Sequence, residues 1–230
     1  MIKQLTLSVA LRDDATFENF FVGENALILH HVRVLLNGEG EHFIYLYGDA
    51  GVGVSHVLQA TCHAAFARSR SALYLSLSDP QLSPEVLQDL ESIEILCLDN
   101  LEHVLGDAQW EEALLHLYNR VREQGTYLLM GAREKPGKLS CRLLDLKSRL
   151  SWGLVLPLKH LNVEEKGQAL MMRANYRGFA LPDLVRHLLL KNYAHSMHAL
   201  FEALDRLDAA SLTEKCRLTL PFAKQVLGLA

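Results

Sequence analysis

The segment YLYGDAGVGVSH has the residue types and spacing of a phosphate-binding loop. Such loops follow the pattern G-x-x-x-x-G-K-[ST], and Gly48, Gly53 and Ser55 occupy three of its fixed positions. A glycine-rich turn, which Gly51 extends, lets backbone N–H groups converge on an anion at the N-terminus of a helix. Val54 stands where the pattern requires lysine, so the loop lacks its full positive charge. The pattern therefore indicates either a weakened phosphate site or an ordinary glycine-rich turn.

A second sequence element, which ends in an acidic residue, supports the phosphate-site interpretation. The apolar run IEILCLDN ends in Asp99, as do strands that present a carboxylate to Mg²⁺ in nucleotide-hydrolysing proteins. The neighbouring position, where an acid would activate water, is Asn100, which is a poor base. Asp99 and Asn100 are also typical of a capped turn, which is the alternative. If the site binds a nucleotide, Ser55 and Asp99 are its candidate contacts to Mg²⁺, and it is better suited to holding a nucleotide than to cleaving it.

Strands that alternate with helices must position these residues. Such alternation predicts an α/β fold with a parallel sheet covered by helices. After Pro157 the pattern becomes entirely helical, with breaks at Gly178 and Pro182. We therefore expect an extended tail over residues 1–14, an α/β domain over 15–159 and a small helical domain over 160–230. The predicted strands are HFIYLY, SALYLSL, IEILCLD, TYLLMGA and WGLVLPL.

Composition excludes several classes of protein. The formal net charge of −4 does not favour a broad nucleic-acid-binding surface. The four cysteines are scattered singly, which argues against a zinc site, and no apolar run is long enough to span a membrane. Free thiols and the lack of a signal-peptide pattern predict a cytoplasmic protein.

Several segments together resemble the DnaA initiator ATPase family of AAA+ proteins, and within it the short regulatory relatives grouped as Hda, which inactivate DnaA. They are TFENFFVGENA, WEEALLHLYNRVREQG, DLKSRLSWGL and LTLPFAKQVLGLA. The resemblance implies a P-loop core followed by a helical lid domain. It also implies that Arg149 is an arginine finger acting in trans on DnaA. The nucleotide-binding positions that it implies are Phe20, Val22, Gly48, Gly51, Gly53, Val54, Ser55, His56, Asp99, Asn100 and His198.

The chain departs from the family pattern where phosphate charge is normally neutralised. Val54 replaces the loop lysine, and His198 stands where the lid normally presents an arginine. Gly131 and Ala132 occupy the place of a polar sensor side chain. Each change lowers the positive charge available to a triphosphate. We therefore expect ADP rather than ATP as the ligand, with weak binding, and no efficient ATPase activity of the chain itself.

The N-terminal segment IKQLTLSV indicates a macromolecular partner. Gln4, Leu5 and Leu7 match the Q-L-x-L core of peptides that bind the bacterial DNA sliding clamp, and Ser8 and Val9 follow where such peptides often carry Pro-Leu or Phe. An extended peptide of this kind binds through its backbone and fills an apolar pocket with leucine. The alternative is an amphipathic edge strand packed on its own domain.

These observations lead to one main hypothesis and two alternatives. The main hypothesis is a regulator that binds the clamp on DNA and stimulates hydrolysis of DnaA-bound ATP through Arg149, which limits re-initiation of chromosome replication. An autonomous ATPase resembling a helicase loader is disfavoured by Val54 and Asn100. A DNA-binding initiator is disfavoured because we find no helix-turn-helix domain before Ala230, so we expect no sequence-specific DNA binding. The sequence is compatible with a homo-oligomer, and Arg149 could instead simply pair with Asp145.

Overall fold

A parallel β-sheet forms the centre of the N-terminal part of the chain. The computed structural model describes residues 11–90 and 92–229, and in these residues the sheet has five strands in the order β2-β3-β4-β1-β5. All neighbouring strands run parallel. The predicted strands are confirmed, with the bounds β1 Phe43–Tyr47, β2 Ala72–Ser76, β3 Ile95–Asp99, β4 Tyr127–Ala132 and β5 Leu154–Pro157. The clamp-peptide residues Gln4, Leu5, Leu7, Ser8 and Val9 lie outside the described residues.

Helices cover both faces of this sheet, as its apolar strands require. Helix α2 packs on β2, β3 and β4, while α3 packs on α4. Leu96 and Leu98 of β3 share a buried cluster with Leu117 and Val121 of α3, and the alternate residue Cys97 contacts Cys62 of α2. The helices of this part are α1 Ala26–Leu36, α2 Val54–Phe66, α3 Ala108–Gln124 and α4 Leu144–Arg149.

The C-terminal part is helical and has a core of its own. Its helices are α5 Val163–Tyr176, α6 Asp183–Tyr193, α7 Met197–Glu214 and α8 Leu220–Leu227. Leu170, Val185, Leu204 and Ala223, one from each helix, belong to one buried cluster. Helix α5 begins with a capping box, in which the Asn162 side chain accepts from the Glu165 N–H while the Glu165 side chain accepts from the Asn162 N–H.

The chain divides into two compact units. Among the described residues, one contains 11–18 and 25–158, and the other contains 19–24 and 159–229. The short segment 19–24 therefore groups with the C-terminal helices, although it precedes the sheet in sequence. Among the described residues, no helix is long and apolar enough to cross a membrane.

Candidate functional site

The glycine-rich loop joins β1 to α2 and has a backbone that only glycine adopts easily. Gly51 and Gly53 have φ angles of +82° and +110°. A Cβ atom on Gly48 would lie 2.7 Å from Cγ2 of Val52 and 2.9 Å from the carbonyl oxygen of Leu158. The loop glycines are therefore required by local geometry, whatever the loop binds.

The start of α2 presents unused hydrogen-bond donors. Within the described part of the chain, the backbone N–H groups of Gly53, Val54 and Ser55 have no acceptor. Such orphan donors at a helix N-terminus, together with the helix dipole, form a site for an anion. The start of α2 therefore has the backbone donors that the phosphate-site hypothesis requires, without the lysine.

Val54 packs toward the protein interior. It is 9% exposed, and its Cγ1 atom lies 2.8 Å from the position that a Cβ atom on Gly131 would take. That same position is 2.8 Å from Cδ1 of Leu58 and 2.7 Å from Oδ1 of Asp99. The absence of a polar sensor on β4 thus has a steric reason: these side chains fill the space in which it would stand.

Asp99 ends β3 at the carboxyl end of the sheet, where the loop also begins. Both oxygens of its carboxylate already accept hydrogen bonds. The Tyr74 hydroxyl donates to Oδ2 at 2.8 Å, and the Asn100 N–H donates to Oδ1 at 2.9 Å. Asp99 is 2% exposed. Among the described residues, no cluster of His, Cys, Asp or Glu has the arrangement of a metal site. Sequence analysis identified Asp99 but missed Tyr74, because that contact depends on how β2 pairs with β3.

The residues that follow β3 form no arrangement for activating water. Asn100 has a left-handed backbone with φ of +60°, and its side-chain amide donates to Oγ of Ser76 at 2.9 Å. Glu102 pairs with Arg133, with 3.2 Å between Oε1 and Nε. The acid that follows Asp99 most closely in sequence is thus engaged in an ion pair, which makes it a weak candidate for a general base.

His56 contacts the segment before the sheet. Its Nε2 atom hydrogen-bonds the Thr16 carbonyl oxygen at 2.8 Å. One turn farther along α2, Oε1 of Gln59 accepts from the Arg12 N–H at 2.9 Å, and His63 bonds the Arg12 carbonyl oxygen. This face of α2 therefore fixes residues 12–16 beside the loop helix, which is a positioning role for His56.

Three of the implied nucleotide contacts belong to the second unit. Phe20 and Val22 lie in the segment that groups with the C-terminal helices. His198 is the second residue of α7, its side chain is 75% exposed, and Nε2 lies 3.7 Å from Oε1 of Glu202. The structure thus brings the loop, Asp99 and Asn100 together in one unit and places these three residues in the other.

Arg149 is the last residue of α4 and is held from several sides. Its Nη2 lies 3.2 Å from Oδ2 of Asp145, one helical turn earlier. Its guanidinium carbon also lies 5.7 Å from the ring centre of Tyr118 and 5.6 Å from that of Trp152. The expected pair with Asp145 is present, and the side chain remains 18% exposed. Among the described residues its buried Nε has no hydrogen-bond acceptor.

Glu111 fixes the chain that leads into α4, a role that sequence analysis missed. Its carboxylate is 1% exposed and accepts from the backbone N–H of Gly106 at 2.7 Å, of Arg142 at 3.0 Å and of Leu143 at 2.7 Å. Burial opposes its charge, but these backbone donors outweigh that effect, so the pKa of Glu111 lies below its ordinary value. Glu111 is therefore a positioning residue for the segment that carries Arg149.

Comparison with known proteins places this geometry in a family. The family model for the bacterial DnaA ATPase domain matches residues 11–157, and that for the Hda lid domain matches residues 164–227. An uncharacterized protein of Haemophilus influenzae is 42% identical over 231 residues, with both chains covered completely. The two family models together account for the sheet and for the C-terminal helices.

Solved structures agree at the level of the fold. Domain III of the replication initiation protein DnaA from Thermotoga maritima has a TM-score of 0.82 at 22% identity, over 95% of this chain and 98% of that one. AMPPCP-bound DnaA from Aquifex aeolicus has a TM-score of 0.74 at 23% identity, over 86% and 66% of the two chains. The RuvB Holliday junction branch migration motor of Thermotoga maritima has a TM-score of 0.68 at 17% identity, over 89% and 67%. The predicted fold, an AAA+ core with a helical lid domain, is confirmed, and the chain belongs to the DnaA-related AAA+ proteins as a member of the Hda type.

Proposed function

We propose that this protein binds the sliding clamp on DNA and stimulates hydrolysis of the ATP bound to DnaA, and that it thereby limits re-initiation of replication. One observation carries the proposal. Arg149 is held at the protein surface by Asp145 and two aromatic rings, in a chain whose own loop lacks the lysine and whose Asp99 has no acid beside it. Arg149 is thus held in place by its neighbours, although the chain's own nucleotide site is poorly equipped for hydrolysis.

Arg149 acts in this proposal on the nucleotide of DnaA. Guanidinium donors match phosphate oxygens in a planar fork, and a finger supplied in trans stabilises the charge that develops during phosphoryl transfer. Its ion pair with Asp145 and its contacts with Tyr118 and Trp152 limit the orientations that the side chain samples, which lowers the entropy lost on docking. The Nε donor, which has no acceptor in the described chain, is available to a partner once the side chain shifts.

The surface around Arg149 has the composition of a protein contact. Trp152 contacts Arg149 and is 44% exposed. Arg122 adds a second guanidinium, 5.1 Å from the Trp152 ring centre. Exposed aromatic and arginine side chains are typical of the central residues of interfaces. We infer that DnaA contacts this patch, which consists of Arg149, Trp152 and Arg122.

The assay that tests this function measures the conversion of ATP to ADP. Three mixtures are compared, each with clamp-loaded DNA: this protein alone, DnaA alone, and both together. Fast conversion in the combined mixture only is the expected result. Conversion by this protein alone would favour the autonomous ATPase instead.

We expect the isolated protein to bind ADP through its loop and to hydrolyse ATP negligibly. Val54 removes the lysine that clamps the β- and γ-phosphates, and the Asn100 side chain is engaged by Ser76. Steady-state phosphate release by the purified protein measures this. Val54→Lys restores the missing charge and should tighten nucleotide binding if the loop has the usual shape of a phosphate site, whereas unchanged binding would indicate a structural role for the loop. Turnover by the wild type that is lost in Asp99→Ala would contradict the prediction.

Replacement of Gln4, Leu5 and Leu7 together by alanine should abolish binding to the sliding clamp. The leucines would no longer fill the apolar pocket and the glutamine would no longer hydrogen-bond the clamp. Clamp affinity is measured by surface plasmon resonance, with the thermal midpoint as the check on folding. Replacement of Thr6, the variable position of the Q-L-x-L core, by alanine is the matched control and should weaken binding little. Unchanged affinity of the triple variant would show that the clamp is not the partner of this segment.

A further inference from the structure

The residues expected to contact Mg²⁺ do not fit the ion in this structure. Mg²⁺ requires nearly octahedral oxygen ligands at about 2.0–2.1 Å, and P-loop proteins supply one from the loop hydroxyl and hold the ion with an acidic strand residue. Here Oδ2 of Asp99 accepts from the Tyr74 hydroxyl at 2.8 Å, and Oδ1 accepts from the Asn100 N–H. The Ser55 side chain also approaches the Tyr74 hydroxyl. A phenol group therefore contacts both of the residues that would hold the cation.

The sheet register fixes Tyr74 in this position. Ser76 of β2 lies opposite Asp99 of β3, and Tyr74, two residues earlier, points to the same face as both. Helix α2 covers that face and brings Ser55 and Gln59 to the Tyr74 hydroxyl. Tyr74 is 9% exposed, so it can leave only if a buried ring enters water.

The hydroxyl is a neutral donor under ordinary conditions. Burial raises the pKa of Tyr74, and the negative charge of Asp99 raises it further. A protonated phenol that donates to Asp99 directs its hydrogen at the carboxylate and repels a cation from the same place. It also satisfies Oδ2 of a buried carboxylate whose other oxygen accepts from the Asn100 N–H.

We propose that the Tyr74 hydroxyl takes the place of Mg²⁺ beside Asp99, so that this loop binds a nucleoside diphosphate without a divalent cation. The inference rests on the ADP binding included in the proposed function. The backbone N–H groups of Gly53, Val54 and Ser55 supply the contacts to the phosphates. The Asp99 carboxylate serves to anchor Tyr74. The site binds nucleotide without the metal ion that phosphoryl transfer requires.

The test measures the dissociation constant of ADP by isothermal titration calorimetry, in excess MgCl₂ and in EDTA. For the wild-type protein the two values should agree within a factor of about two. Tyr74→Phe removes the hydroxyl and leaves Oδ2 of Asp99 open beside Ser55. In this variant MgCl₂ should tighten ADP binding by about tenfold.

Tyr45→Phe is the matched control. It also removes one buried tyrosine hydroxyl, which donates to the Glu134 carbonyl oxygen at 2.7 Å, but leaves Asp99 untouched. Its ADP affinity should remain independent of Mg²⁺. Circular dichroism and the thermal midpoint establish that both variants are folded, and the wild-type comparison stands even if Tyr74→Phe does not fold.

Three results would overturn the inference: wild-type binding that tightens tenfold or more with Mg²⁺, Mg²⁺-independent binding that persists in folded Tyr74→Phe, and no binding of ADP in either buffer. Stimulation of DnaA is measured separately and distinguishes the two proposals. Arg149-dependent stimulation without ADP binding would leave the arginine finger intact and remove the Tyr74 inference. Metal-independent ADP binding without stimulation of DnaA would leave the Tyr74 inference intact and remove the arginine finger.

Discussion

Replacement of Arg149 by alanine should reduce the stimulated hydrolysis of DnaA-bound ATP to the rate of DnaA alone. An arginine finger supplied in trans accelerates hydrolysis by a factor on the order of 10³–10⁵. Nearly all of the stimulation should therefore be lost. Clamp binding and ADP binding should remain, because Arg149 contacts neither the loop nor Asp99 within its own unit. Arg149→Lys should restore little, since an ammonium group cannot form the planar fork that meets two phosphate oxygens.

Arg122→Ala is the control for the loss of one positive charge and of one arginine from this surface. Its guanidinium lies over the same Trp152 ring, at 5.1 Å, and its removal changes the net charge by the same amount. It should lower the apparent affinity for DnaA while leaving the rate at saturating protein nearly unchanged, whereas Arg149→Ala lowers that rate. Full stimulation by a folded Arg149→Ala variant would show that Arg149 is not the trans-acting finger.

The parts of the structure that sequence analysis predicted correctly depend on local patterns. The strands are apolar runs between turn residues, and the glycine-rich loop has positive φ angles at Gly51 and Gly53, where side chains other than hydrogen are disfavoured. The pair between Asp145 and Arg149 follows from their spacing on one helix. Each of these features is decided by residues a few positions apart.

The features that sequence analysis missed depend on contacts between distant segments. Tyr74 reaches Asp99 across 25 residues because β2 and β3 pair in one particular register. The sequence presents Val54 only as a lost charge, whereas in the structure its side chain also occupies the space beside Gly131, so the loop and the sensor strand are in contact at these positions. The sequence shows both substitutions and does not show that they are in contact.

Glu111→Gln is the largest stability change that we expect from a single polar substitution. The amide keeps the shape of the side chain but directs N–H groups at backbone donors, of which Arg142 and Leu143 supply two. Hydrogen bonds to a charged group contribute about 1.5–3 kcal/mol each, and a donor left without an acceptor costs about 1–3 kcal/mol, so a loss of about 3 kcal/mol in the free energy of unfolding is expected. Urea denaturation measures it.

Glu112→Gln is the matched control, since its side chain is exposed and pairs with His116 one turn later. Its free energy of unfolding should stay within about 0.5 kcal/mol of the wild type. Because Glu111 fixes Arg142 and Leu143 before α4, Glu111→Gln should also weaken the stimulation of DnaA, and Glu112→Gln should not. Equal effects of the two substitutions would show that Glu111 contributes only through its charge and not through its backbone contacts.

The difference in free energy of unfolding between wild type and Glu111→Gln should depend on pH. This dependence tests whether the ionised Glu111 carboxylate is the stabilising form. The pKa of Glu111 is lowered in the folded protein, so the folded state favours the charged group and the unfolded state binds its proton at higher pH. The contribution to stability is therefore complete above the unfolded pKa of about 4.3 and is lost as the pH falls through the lower folded value. The difference in free energy of unfolding between wild type and Glu111→Gln should accordingly shrink below about pH 4.3. A difference that stays constant over this range would mean that the neutral acid satisfies the same backbone donors, and that Arg149 is positioned by shape rather than by charge.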